Sequence, residues 1–131
     1  MEYNFDGIIL RCRNVAELSQ FYDNVMKLKR FVPPPTEPVG RIARYQVSDG
    51  IIFELIGNGP ELSAPEDRSQ VPMTPMFRVD DLGQAIEELD AAGVHWVSER
   101  QAIPGAPAEL ATFVDPEGHH ICVFQMMTQD T

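Results

Sequence analysis

The chain is short of cysteine, of positive charge and of long apolar runs, and each shortage excludes something. Its two cysteines, Cys12 and Cys122, stand far apart within apolar runs. They are expected to be reduced thiols of a cytoplasmic protein rather than a disulfide framework. Only 10 Lys and Arg face 20 Asp and Glu, a formal net charge of −10, and the basic residues do not cluster. No nucleic-acid partner is expected, because phosphate contacts need clustered Lys and Arg. The acidity serves solubility and can also draw in cationic ligands. No apolar run approaches membrane-spanning length and no basic, apolar and small-residue leader opens the chain, so no membrane partner is expected. Ser–His–Asp arrangements, glycine-rich phosphate loops and zinc spacings are missing too.

What remains is an ordinary globular composition, 44% apolar and 23% charged over 131 residues. A chain of this size buries roughly two thirds of its unfolded surface and needs no staple. Its main feature is a repeat. NVAELSQFYDNVMKL, from Asn14, and DLGQAIEELDAAGV, from Asp81, both open on an N-cap residue with Glu17 or Gln84 three positions on. Leu18, Phe21, Val25 and Leu28 recur at helical intervals, as do Leu82, Ile86 and Leu89, and Gly93 supplies a stop. GIILRCR, from Gly7, and TPMFRVD, from Thr74, precede the caps at the same offset. ARYQVSDGIIFELIG, from Ala43, lies over ATFVDPEGHHICVFQ, from Ala111, at one residue more. Each half thus reads strand, helix, then about three strands. Module one covers about residues 5–58, a polar linker about 59–71 and module two about 72–127, in a single domain of residues 1–131. The proline run VPPPTEPVG, residues 32–40, is read as a rim loop.

A duplicated βαβββ module with Phe21-Tyr22, VDDL at 79–82, DAAGV at 90–94 and DPEGH at 115–119 resembles the vicinal oxygen chelate superfamily. That group includes glyoxalases, bleomycin-resistance proteins and extradiol dioxygenases. The resemblance covers residues 5–126. It implies an α+β fold in which two modules form a curved, cup-shaped mixed sheet with helices outside. Side chains alternate along strands, so Ile8, Leu10 and Cys12 are expected toward a helix and Gly7, Ile9 and Arg11 toward the cup. In the second module Pro75, Phe77 and Val79 are expected on the helix side and Thr74, Met76 and Arg78 on the other. On the last strands Ile52, Glu54, Ile56, His120, Cys122 and Phe124 are expected to look inward.

Metal-using members of the superfamily take ligands from four places, which carry over to Gly7, Glu54, Thr74 and Cys122. Divalent ions want imidazole and carboxylate donors, and only Glu54 fits, so no metal cofactor is expected. The alternative is a divalent metal on Glu54, Cys122 and His120. His119 reads as a turn-closing residue and His95, beside Trp96, as a structural one. Glu54 in an apolar setting needs a partner, for which Arg11, Arg44 and Arg78 are candidates. The same arginines could bind a carboxylate or phosphate of a ligand. Met73, Met76, Phe124, Met126 and Met127 offer adaptable apolar contacts.

The resemblance therefore implies a metal-independent small-molecule-binding protein, paired as a homodimer, with its ligand in the cup or at the dimer interface. Ile9, Arg11, Ile52, Glu54, Thr74, Met76, Arg78, His120, Cys122 and Phe124 are the expected ligand-binding residues. The alternative is a lyase, isomerase or dioxygenase in which Glu54 is the catalytic base or a metal ligand.

Overall fold

The structure, a computed structural model, describes residues 1–31, 41–57 and 73–127. The proline run and the polar linker lie outside the described residues. The chain divides into two compact units, Met1–Arg68 and Ser69–Thr131. Each is α+β, and both sheets are open and mixed.

The first unit contains β1 (Gly7–Cys12), α1 (Val15–Asn24), β2 (Ile42–Ser48) and β3 (Ile51–Gly57), with the strands in the order β1-β3-β2. In the position of a further strand, Arg30 forms a single bridge to Tyr45. The flanking hydrogen bonds run from Phe31 N–H to the Arg44 carbonyl and from Gln46 N–H to the Lys29 carbonyl. Helix α1 starts where Asn14 Oδ1 accepts the Glu17 N–H at 3.0 Å. It stops earlier than the apolar spacing predicts. Val25 caps it, Lys27 takes a left-handed φ of 56°, and Leu28, beyond the helix, returns its N–H to the Tyr22 carbonyl.

Strand alternation puts one face of this sheet under α1. Rows Ile8–Phe53–Tyr45 and Leu10–Leu55–Ala43 run across the three strands, and Leu18, Phe21 and Tyr22 of α1 are buried with them. Tyr22 meets the Phe53 ring at 5.0 Å, edge to face. At the edge of this core Arg30 forks onto both Asp23 oxygens at 2.9 Å. The Tyr45 hydroxyl lies 2.9 Å from Asp23 Oδ1, and the Arg30 guanidinium sits over the Tyr45 ring. The Arg30 hydrogen bonds hold the Asp23 carboxyl below its ordinary 3.8, against partial burial, with Tyr45 adding to the effect. A lowered folded value means that this stabilisation is present above the unfolded pKa and is lost as pH falls through the folded one. Asp23→Asn is therefore expected to flatten the acid limb of a stability profile below pH 3.8. For so exposed a pair the change stays under about 1 kcal/mol; thermal unfolding followed against pH reads it.

The second unit contains β4 (Met76–Arg78), α2 (Leu82–Ala91), β5 (His95–Ala102), β6 (Ala108–Val114) and β7 (His120–Met126), ordered β4-β7-β6-β5. Asp81 caps α2 through the Gln84 N–H at 3.0 Å, and Gly93 ends it at φ +83°. The first helical N–H, of Leu82, has no partner within its own helix. Gln125 on β7 reaches it with Oε1 at 2.8 Å and ties the helix to the sheet.

Between β6 and β7 the DPEGH turn is built on Asp115. Its Oδ1 accepts the N–H groups of Glu117 and His119, both at 2.9 Å, and its Oδ2 lies 2.7 Å from His119 Nδ1. His119 is buried in this turn, which accounts for it structurally.

Candidate functional site

The register of the first sheet assembles the site. Glu54 on the central strand β3 stands opposite Ile9 of β1 and opposite Arg44 of β2. All three therefore project from the face turned away from α1. Arg44 and Glu54 are direct cross-strand neighbours, and the guanidinium meets the carboxylate through Nη2 at 2.7 Å and Nε at 3.2 Å. Both contacts fall on Oε1. The two side chains keep 31% and 13% of their exposure, so this pair is only partly screened by water. Arg44 also lies over the Phe31 ring, 5.9 Å from its centroid.

Around this pair an open cleft of about 370 Å³ is lined by Asp6, Gly7, Ile8, Ile9, Phe31, Arg44, Ile52 and Glu54. That volume suits a small organic molecule. Of the expected ligand-binding residues, the cleft brings together Ile9, Ile52 and Glu54. Arg11, further along β1, lies outside its lining. Ile8, expected on the helix side, contributes to the lining as well. Asp6 and Phe31 were not expected here. Neither lies in a helix or strand, so no alternation pattern marks them. Asp6 is fixed because its carbonyl accepts the Ile52 N–H at 2.7 Å, and Phe31 because it bonds to the Arg44 carbonyl.

Gly7 has a positive reason to be glycine. Its φ is +156°, and a Cβ built on it would fall 1.9 Å from the Ile52 carbonyl oxygen. The strands approach so closely that no side chain fits at this point.

The duplicated position in the second unit has a different chemistry. Row Met76–Cys122–Thr112 corresponds to Ile9–Glu54–Arg44, and it carries no charge. Arg78 stands beside Phe124 in the next row. Thr74, Met76 and Arg78 are exposed, His120 and Phe124 half-buried, and Cys122 buried. Burial pushes the Cys122 thiol above its ordinary pKa, with Thr112 opposing. The thiolate that a soft metal would need is thus disfavoured at neutral pH.

The four places from which the superfamily draws metal ligands do not fit a divalent ion in this chain. Gly7 can carry no donor, Glu54 is held by a guanidinium, Thr74 is neutral, and Cys122 is a buried thiol. Among the described residues, no group of three or more His, Cys, Asp or Glu side chains could hold a metal ion. None of the described helices is long and apolar enough to cross a membrane.

Two strand–helix–strand modules with open mixed sheets are the fold expected from the resemblance to the vicinal oxygen chelate superfamily. The glyoxalase-like domain family matches residues 7–124, and the chain belongs to that family. A search of the curated proteins finds no match. Solved structures resemble the chain at low identity. A glyoxalase/dioxygenase from Nostoc punctiforme is 19% identical, with a TM-score of 0.76 over 94% of this chain and 90% of its own. TnmS3, an antibiotic-binding protein from Streptomyces sp. CB03234, is 17% identical, with 0.72 over 95% and 97%. A lactoylglutathione lyase from Agrobacterium tumefaciens is 14% identical, with 0.69 over 95% and 94%.

Proposed function

We propose that the chain is a metal-independent small-molecule-binding protein whose ligand occupies the cleft on the first sheet. The observation that carries this reading is the Arg44 guanidinium on Glu54. The one carboxylate at an inherited ligand position already has its cation, supplied by the neighbouring strand. The apolar lining from Ile8, Ile9, Ile52 and Phe31 supports the same reading, because such surfaces bind organic molecules with a few polar groups setting orientation. Similarity to an antibiotic-binding protein is in keeping with it. Similarity to a lyase shows that this fold by itself does not choose between binding and catalysis.

A homodimer belongs to the same proposal. Strand β4 ends its sheet, and Met73 before it and Met76 within it are 68% and 55% exposed, a surface that a second copy would cover.

Methyl NMR of chelator-treated protein tests the binding reading. Indole, as a probe, is expected to shift the Ile9 and Ile52 methyl signals without added metal, and Ile9→Glu to abolish the shift. Shifts that arise only after a divalent ion is added, or an indole response confined to other methyls, would contradict it.

A further inference from the structure

We infer that the cleft selects ligands with a cationic, hydrogen-bond-donating nitrogen head, an amine or amidine, on an apolar body. This rests on the cleft reading above and adds the sign of the ligand's charge. It runs against the use of Arg44 as an anchor for a ligand carboxylate or phosphate.

The first ground is the way the ion pair is made. Nε and Nη2 of Arg44 both contact Oε1 of Glu54. Among the described residues Oε2 has no donor, although the side chain is only 13% exposed. Glu54 lines the cleft, so this second oxygen is an acceptor open to whatever enters it, and an acceptor in a mostly apolar setting gains from a donor. A ligand N–H entering the cleft supplies that donor, and a charged one forms the stronger bond.

The second ground is the charge count. The lining holds two carboxylates, Asp6 and Glu54, and one guanidinium. Once Arg44 is offset by Glu54, the Asp6 charge is left at the exposed rim. An anion would meet repulsion from it, within a chain whose formal net charge is −10. A cation would be attracted at both ranges. Phe31 offers a ring in the same cleft, and aromatic faces attract cations. Ile9 and Ile52 provide apolar surface for the rest of the molecule. No part of this selectivity is duplicated in the second unit, where the corresponding row is Met76, Cys122 and Thr112.

Benzamidine, benzamide and benzoate share ring and size and differ in the charge of the head, so they separate the possibilities. Dissociation constants are read from the Ile9 and Ile52 methyl signals of the full chain. Benzamidine is expected to bind about tenfold more tightly than benzamide, a modest effect for one partly screened charge contact. Benzoate is expected to bind more weakly than either, and added salt to weaken benzamidine alone. Glu54→Gln is expected to bring benzamidine down to the level of benzamide. Asp6→Asn, at the exposed rim, is expected to reduce the preference in part. Equal affinities, or benzoate the tightest, would overturn the charge selectivity and leave the cleft as the place of binding. No shift at Ile9 or Ile52 with any of the three would overturn both.

Discussion

Gly7→Ala is expected to destabilise the first unit by about 3 kcal/mol or more, the range of a backbone clash added to a strained φ. An added Cβ would lie 1.9 Å from the Ile52 carbonyl oxygen and 2.9 Å from the Ile52 nitrogen, both backbone atoms that no rotamer change can move. Ile52 is held in turn by the Asp6 carbonyl on one side and by the β2 register on the other. Gly50 is the control. It has a φ of +71°, but an added Cβ would meet nothing within 4 Å. Gly50→Ala should therefore cost only about 1 kcal/mol, the strain of a left-handed residue. Urea denaturation of both variants gives the comparison. A Gly7→Ala cost no larger than that of Gly50→Ala would show that the close approach of β1 to β3 is relaxed in solution. The functional consequence is direct: Gly7→His, the obvious way to restore a metal donor, should damage the unit rather than create a site.

Arg44→Met is expected to cost about 2–3 kcal/mol, more than loss of an exposed ion pair would. The substitution leaves Glu54, only 13% exposed in the native pair, beside Ile9 and Ile52 without its cation. Removing both charges together, as Arg44→Met with Glu54→Leu, should recover most of that loss, since an apolar pair of similar shape replaces a half-buried charged one. A double-mutant cycle in urea at neutral pH therefore predicts strong coupling between the two positions. If the double variant were as unstable as Arg44→Met, the contribution of Arg44 would be its packing on Phe31 instead of its charge.

The repeat made much of the fold legible. Asn14 and Asp81 were visible as caps because a short polar side chain stood three residues before a glutamate or glutamine at the start of each apolar period. Simple alternation separates the two faces of β1 and β3: Cys12, Phe53 and Leu55 are buried, while Ile9 and Arg11, expected toward the cup, are exposed in the first unit. The site was harder to see because it depends on register. Counting back from the Ser48-Asp49-Gly50 turn without interruption would set Tyr45 opposite Glu54. The register shifts between Gln46 and Ser48, and this irregularity brings Arg44 opposite Glu54 instead. Nothing in the local sequence announces that extra residue, which left three arginines as candidates for one carboxylate. Asp6 and Phe31 went unseen for a related reason. They enter the cleft through backbone hydrogen bonds to neighbouring strands, and such bonds carry no side-chain signature. Leu28 shows the opposite limit: an apolar residue at helical spacing stayed outside α1 because Lys27 turned the chain first.

The central claim is that Arg44, and not a metal ion, neutralises the Glu54 carboxylate, and the side-chain carbon of Glu54 reports on it most directly. Chelator-treated protein labelled at glutamate is titrated with Mn(II), whose unpaired electrons broaden any carboxylate that binds it. The Glu54 signal is expected to stay sharp through a stoichiometric addition, with the Arg44 Nε–H resonance unchanged. Disappearance of the Glu54 signal at one equivalent, with release of the Arg44 resonance, would contradict the account.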